Sequence, residues 1–175
     1  PVPLRPTDTI IIDESINASL SSQFNNTKSL FVISGYTAVS LISMNSGESE
    51  IYLARKGNDK AVIKLYYPAF KPNEEVLKKI YKLSHPNMLK LLEYGFYDGR
   101  FFEIMEYADG GSLDEAGAEG SYKYLPMGDE KLRNVISDVL KGLMFLHDNG
   151  IIHRDIKPSN IFCRKNCSEF LIGDM

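Results

Sequence analysis

Apolar and polar residues follow two different periods along the chain. In its first half, short runs rich in β-branched and aromatic residues are separated by Gly, Asn and Asp turn chemistry, which is typical of strands. These runs predict five strands, at residues 37–42, 50–53, 61–66, 89–97 and 101–107. Prolines near the start and many Ser, Asn and Thr residues predict a weakly structured arm or linker over residues 1–30.

Helical periodicity marks two other segments. Residues 74–83 place apolar side chains on one face, and Asn73 precedes them as an expected helix start. Residues 131–147 repeat apolar side chains at i, i+3, i+4 and i+7, with Asp129 as the expected N-cap and a stop at 149–150. Two short strands follow this helix, at residues 161–163 and 170–172. The order of elements indicates an α+β fold with two lobes.

Composition narrows the classes of function. The 175 residues are 43% apolar and 25% charged, as in globular proteins, and the formal net charge of −3 argues against a nucleic-acid binder. Because no run approaches 18 apolar residues and the start lacks a signal-peptide pattern, we expect no membrane span and a cytoplasmic location. Cys163 and Cys167 lack the further ligands of a zinc site, so we expect free thiols.

The strongest chemical signal is the segment HRDIKPSN at residues 153–160, between a predicted helix end and a predicted strand. It resembles the catalytic loop H-R-D-x-x-x-x-N of eukaryotic-type (Hanks-type) protein kinases, and its lysine resembles that of serine/threonine kinases. The resemblance implies that Asp155 accepts the proton of the substrate hydroxyl. It also implies that Lys157 offsets charge on the transferring phosphoryl group and that the Asn160 amide oxygen binds Mg²⁺.

Two further landmarks fit the same register. The segment AVIK at residues 61–64 resembles the V-A-I-K strand, which implies that Lys64 pairs with the α- and β-phosphates of ATP. The segment GDM at residues 173–175 resembles the start of the D-F-G element, with Met in place of Phe. This likeness implies that Asp174 is the main Mg²⁺ ligand.

The resemblance also implies an adenine pocket. Met105 would be the gatekeeper, and backbone groups of Glu106 and Ala108 in the hinge would hydrogen-bond adenine. Four apolar side chains would enclose the ring: Ile42, Ile51, Val62 and Phe162. Plain core packing would explain each of these apolar residues equally well.

The glycine-rich loop of the family is degraded in this sequence. Its three usual glycine positions hold Met44, Ser46 and Ser49, and Gly47 remains out of register. Ser46 and Gly47 are the candidates for phosphate contacts in this loop. Glycines let backbone approach phosphate closely, and Glu48 adds a negative charge, so we expect weakened ATP affinity.

The helix glutamate that the family pairs with the strand lysine is shifted. Counting in the usual register gives Val76, whereas Glu75 is one residue away. We favour Glu75 as the partner of Lys64, through one extra residue near the helix end. The alternative is that this ion pair is absent and that Glu74 and Glu75 only favour the helix N-terminus through its dipole.

The resemblance covers residues 37–175 and ends directly after the D-F-G-like aspartate, so we expect a truncated catalytic domain. It implies a kinase N-lobe over residues 31–107, with a five-stranded antiparallel sheet and one helix. Residues 108–175 would form a partial C-lobe with the catalytic loop, without the activation segment and later helices.

The function implied is that of a Mg²⁺- and ATP-dependent serine/threonine protein kinase that phosphorylates a protein hydroxyl. Its partners would be ATP and a protein substrate, with neither nucleic acid nor membrane, and its oligomeric state is open. A pseudokinase or kinase-like interaction module is the main alternative, since the glycine loop and the helix glutamate are altered. A small-molecule phosphotransferase of related fold is a third reading.

Overall fold

The computed structural model of the chain describes residues 30–114, 127–164 and 166–175. Within them an antiparallel six-stranded sheet of order β1-β2-β3-β4-β6-β5 is followed by a long helix and a hairpin. The strands of the sheet are β1 (Phe31–Ile33), β2 (Tyr36–Ser46), β3 (Ser49–Lys56), β4 (Asp59–Tyr66), β5 (Leu91–Tyr97) and β6 (Arg100–Glu106). The helices are α1 (Glu74–Ile80) and α2 (Asp129–Asp148), and the hairpin is β7 (Ile161–Arg164) with β8 (Glu169–Ile172). The predicted two-lobed α+β plan is confirmed.

The sheet has six strands where the sequence predicted five, because β1 is too short to give a periodic signal. This strand reverses into β2 through Ser34 and Gly35, both with positive φ. Phe31 stacks on Tyr97 with ring centroids 5.6 Å apart and meets Tyr52 edge-on at 4.8 Å. Aromatic packing therefore fixes a three-residue strand that pattern alone misses. The remainder of the predicted arm, residues 1–29, lies outside the described residues.

Alternation along β4 decides which side chains reach the cleft between the lobes. Ile63 and Leu65 join an apolar cluster on one face of the sheet, together with Ile104 of β6. Lys64 and Tyr66 therefore point to the opposite face. On that face Tyr66 belongs to the second core, which the sheet shares with α1, α2 and the hairpin.

Helix α1 starts as the sequence predicts and ends earlier. The Asn73 side chain accepts hydrogen bonds from the backbone N–H groups of Glu75 (3.0 Å) and Val76 (3.3 Å), which caps the helix. The predicted end was Leu83. The chain instead tightens after Ile80, where Leu83 donates its N–H to the Ile80 carbonyl three residues earlier.

Helix α2 packs closely against β8 and the loop before β5. Its N-cap is Gly128, so the predicted capping role of Asp129 is wrong, and Asp129 lies in the first turn where an acid favours the helix dipole. The predicted stop is confirmed, with Asn149 as C-cap and Gly150 at φ 69°. At Gly142 the helix approaches the loop before β5 so closely that a Cβ would lie 2.5 Å from the Asn87 carbonyl oxygen.

The outer face of α2 is apolar and exposed. Four side chains at four-residue spacing form this stripe, with exposed fractions between 44% and 64%: Leu132, Ile136, Leu140 and Met144. Within the described ranges, none of the helices combines the length and the apolar character that a membrane span requires.

The two cysteines lie at the turn that joins β7 to β8. Cys163 and Cys167 are bonded to each other, with Cα atoms 4.9 Å apart. The expectation of two free thiols is therefore wrong. The hairpin turn brings together two side chains that are four residues apart, and sequence spacing alone does not reveal this.

Candidate active site

The catalytic-loop residues form one hydrogen-bonded unit. Lys157 Nζ lies 2.9 Å from Asp155 Oδ2, and the Asn160 side-chain nitrogen donates to both the backbone oxygen and Oδ2 of Asp155, each at 2.9 Å. Asn160 is buried, whereas the Asp155 and Lys157 side chains are about half exposed. The loop thus holds a carboxylate, a cation and an amide together at the edge of the cleft.

Asp155 and Lys157 each stabilise the ionised form of the other. The hydrogen bond from Lys157 holds the pKa of Asp155 below its usual value, and the same bond raises the pKa of Lys157. Asp155 is therefore a carboxylate at neutral pH, with its oxygens ready to accept a hydroxyl hydrogen.

A buried histidine ties the loop to the end of β8. His153 accepts the backbone N–H of Asp155 at its Nδ1 atom (3.4 Å), and its Nε2 atom lies 2.9 Å from the Gly173 carbonyl. Because a carbonyl can only accept, Nε2 carries the hydrogen. Gly173 in turn donates its N–H to the Asn160 carbonyl at 3.0 Å. The residue before Asp174 is thereby fixed to the catalytic loop at two points.

Lys64 reaches across the cleft to Asp174. Its Nζ forms an ion pair with Asp174 Oδ1, and its side chain is 11% exposed against 46% for Asp174. Asp174 itself has a positive φ of 61°. A cleft of about 570 Å³ opens here between β4, α1 and the catalytic loop. Lys64, Asp155 and Asp174 all line it, so the structure brings together three predicted site residues from distant parts of the chain.

The structure does not bring Glu75 to Lys64. Glu75 is exposed, Glu74 pairs with Lys71 at 3.3 Å, and Val76 lines the cleft. The predicted ion pair between Glu75 and Lys64 is thus not formed. The reason is helical geometry: one residue along a helix rotates the side chain by about 100°, so Val76 and Glu75 cannot face the cleft together.

The donor atoms at the base of the cleft fit a magnesium ion. Asn160 uses its amide nitrogen for both bonds to Asp155, so its amide oxygen is the atom that could bind a cation. Asp174 adds a half-exposed carboxylate. Oxygen donors in this small number suit Mg²⁺, which keeps several ligands from water and phosphate. Among the described residues, no cluster of three or more His, Cys, Asp or Glu side chains offers a complete protein-only metal site.

The predicted adenine residues are not among the described residues that line this cleft, and their role stays a prediction. Val62 pairs with Met105 between β4 and β6, and both are partly buried. Ala108 is buried at the hinge, and Glu106 donates its N–H to the Lys90 carbonyl (3.0 Å). Below them Phe162 forms an isolated bridge with Ser112.

Strands β2 and β3 pair with an irregular register close to the turn that joins them. Ile51 pairs with Ser43 across β2 and β3, and register shifts flank this pair. Ile42 is 49% exposed. A Cβ placed on Gly47 would meet no atom within 4 Å, so a residue with a side chain would fit at this position without a steric clash. The Ser46 side chain lies outside the described residues, and its predicted phosphate contact stays a prediction.

Three residues of the site were not among the predicted ones. His153 is part of the recognised loop, and its linking role is visible only in three dimensions. Glu103 is a buried carboxylate that lies directly opposite Lys64 in the β4–β6 ladder, and Tyr66 donates its hydroxyl to Glu103 Oε1 at 2.8 Å. An acid inside the apolar run FFEIM was the available signal for Glu103.

Comparison with known proteins finds protein kinases, both as a family and as individual relatives. The sequence model of the family described as "Protein kinase domain" matches residues 47–175. Calcium/calmodulin-dependent protein kinase type 1 of Caenorhabditis briggsae is 35% identical over 139 residues, which cover 72% of this chain and 37% of the relative. Human serine/threonine-protein kinase DCLK3 is 42% identical over 87 residues, which cover 50% of this chain and 13% of the relative.

A solved structure shows the same fold. The crystal structure of the M. tuberculosis PknI kinase domain matches with a TM-score of 0.66 and 23% sequence identity, covering 81% of this chain and 58% of that one. The chain therefore spans only part of the length of the proteins that it resembles.

Proposed function

The chain belongs to the protein kinase family, and from this premise we propose that it carries the nucleotide site and catalytic loop of a serine/threonine kinase. The reaction would be transfer of the γ-phosphoryl group of ATP to a hydroxyl of a protein substrate. The strongest support for the proposal is that Lys64, Asp174 and the catalytic-loop residue Asp155 all line one cleft.

Each polar group has a task that its surroundings suit. Asp155 stays ionised beside Lys157 and can orient the attacking hydroxyl and take its proton. Lys157, half exposed at the edge of the cleft, can approach the transferring phosphoryl group. Lys64 could hold the α- and β-phosphates when the Asp174 carboxylate binds a metal ion and no longer pairs with Lys64. A bound Mg²⁺ ion would neutralise phosphate charge there, with Asn160 and Asp174 as its protein ligands.

The hinge residues would receive the adenine ring in this proposal. Glu106 and Ala108 contribute backbone groups, and Met105 stands behind them as gatekeeper. Ile42, Ile51, Val62 and Phe162 would enclose the ring, and Ser46 and Gly47 would lie near the phosphates. A cytoplasmic location is part of the same proposal.

Asp155→Asn tests the proposal at the step of phosphoryl transfer. The variant keeps size and hydrogen bonding but loses the base, so we expect the rate of transfer to a Ser/Thr-containing protein to fall about 10²–10⁴-fold. The Kd for ATP should stay unchanged. Asp98→Asn is a matched change in the β5–β6 turn, at a residue that does not line the cleft, and should leave both quantities as in wild type.

A non-catalytic kinase-like module is the second candidate, because the three usual glycine positions near the β2–β3 turn hold other residues and Glu75 does not pair with Lys64. That reading predicts no transfer in the wild-type chain under conditions where ATP is bound. Transfer that Asp155→Asn leaves intact would contradict both the kinase proposal and the role given to Asp155.

A further inference from the structure

Glu103 is a buried charged group that the proposed mechanism does not use. Its side chain belongs to β6, and the residue is 7% exposed. A buried carboxylate is costly unless a cation or hydrogen-bond donors compensate it. Its position among the apolar residues Phe101, Phe102, Ile104 and Met105 thus calls for a partner.

The partner that the ladder supplies is Lys64. The two residues are directly opposed on antiparallel strands, so their side chains leave the same face of the sheet as neighbours. Burial raises the pKa of Glu103, and the positive charge of Lys64 is the largest influence that opposes this rise. Lys64 therefore favours the ionised form of this carboxylate.

Tyr66 completes this arrangement. Its hydroxyl donates to Glu103 Oε1 at 2.8 Å, and Lys64 Nζ lies 5.1 Å from the centroid of its ring. Because Lys64 and Tyr66 are two residues apart on β4, both point to the same side as Glu103. One strand therefore contributes a cation and a donor, and the adjacent strand contributes the anion.

The anion that pairs with Lys64 in this structure lies on the other side of the cleft. Asp174 forms the ion pair with Lys64, yet the proposed function requires this carboxylate for the metal. Helix α1 does not replace it, since Glu75 is exposed and Val76 occupies the cleft-facing position. A small cavity of about 20 Å³ is lined by both Glu103 and Asp174.

We propose that Glu103 is the positioning residue for Lys64, in place of the helix glutamate that the family uses. Held by two sheet strands and by Tyr66, its carboxylate keeps the Lys64 ammonium directed into the cleft when Asp174 binds metal. Lys64 can then contact the nucleotide phosphates without an ion pair from α1. This inference rests on the proposed function, because it concerns the lysine that would bind ATP.

A double-mutant cycle on nucleotide binding tests this role. The quantity measured is the Kd of the full 175-residue chain for a non-hydrolysable ATP analogue with Mg²⁺, with thermal melts to check folding. Glu103→Gln is isosteric and removes only the charge, so we expect binding to weaken about tenfold. In a Lys64→Met background the same change should have no effect, since Glu103 acts through Lys64.

Two further variants separate positioning from packing. Val76→Glu adds a carboxylate at the cleft-facing position of α1 and should restore the affinity of Glu103→Gln to within a few-fold of wild type. Glu75→Gln, the matched change at an exposed helix carboxylate, should bind as wild type. If Glu103→Gln proves unstable, Glu103→Met with and without Val76→Glu supplies the same comparison.

The outcomes distinguish this inference from the proposed function. Wild-type affinity in Glu103→Gln, or equal losses with and without Lys64, would overturn the positioning role and leave the kinase proposal standing. Loss of affinity in Glu75→Gln would likewise overturn it in favour of the helix. No analogue binding by the wild-type chain would overturn both.

Discussion

The two walls of the cleft are built in different ways. The lower wall consists of residues 153–160, the β7–β8 hairpin and Asp174, and buried hydrogen bonds join its parts. The upper wall consists of the strands β2, β3, β4 and β6 together with α1, and its β2–β3 turn is exposed. Asn87 donates its side-chain nitrogen to the Phe170 carbonyl (2.9 Å) in the lower wall, whereas Met44 in the upper wall is 57% exposed.

This difference shows where chemistry depends on fixed geometry. The catalytic loop and Asp174 are held in place by hydrogen bonds that involve His153, Gly173 and Asn160. The upper wall has a buried polar cluster around Lys64, and its β2–β3 turn is exposed. We therefore expect substitutions in the lower wall to cost more than those in the turn.

Two glycine substitutions should give the largest contrast in stability. Gly142→Ala in α2 would place a Cβ 2.5 Å from the Asn87 backbone, and we expect the free energy of unfolding to fall by about 1–3 kcal/mol. Gly47→Ala meets no atom within 4 Å and should change it by less than about 0.5 kcal/mol. Urea unfolding of both variants measures this. Equal losses would contradict the expected difference between α2, which packs against Ile172 of the lower wall, and the open turn of the upper wall.

The buried charge of the upper wall should give a pH-dependent effect. Burial raises the pKa of Glu103 above its ordinary 4.5, so the folded chain binds more protons than the unfolded chain between the two values. The free energy of unfolding contributed by this group therefore falls as pH rises through that window. Wild type should lose stability relative to Glu103→Gln as pH rises from about 4.5. A difference that is constant with pH would show that Glu103 does not titrate in this way.

The smallest effect is expected at the turn itself. Glu48 is exposed and lines the cleft, where its negative charge would oppose the phosphates of the proposed nucleotide. Glu48→Gln should tighten ATP binding by roughly two- to fivefold, and less at high salt, because exposed charges are screened. Asp59→Asn, at the exposed β3–β4 turn, is the control. A Kd that rises in Glu48→Gln would mean that this side chain supports binding.

Sequence reasoning was successful where a motif and its local structure coincide. The segment at residues 153–160 predicts its own loop, and AVIK predicts the strand that carries Lys64. It was less successful where a role depends on contacts between distant segments. The predicted pairing of Glu75 failed because helix rotation turns that side chain to solvent. The run FFEIM marks Glu103 as unusual, but its position opposite Lys64 is seen only once β6 lies beside β4. The three-residue strand β1 depends on aromatic contacts with Tyr52 and Tyr97 that no local pattern encodes.

Thermal melting of the chain with and without Mg²⁺ and ATP, beside Asp174→Asn, tests the central claim most directly. That claim is a nucleotide site between the two walls, with Asp174 on its metal side. At about a hundredfold excess over Kd, we expect ATP with Mg²⁺ to raise the wild-type Tm by roughly 5–10 °C. The shift should shrink in Asp174→Asn. A cooperative melt that nucleotide does not move, or a shift of the same size in the variant, would contradict the account.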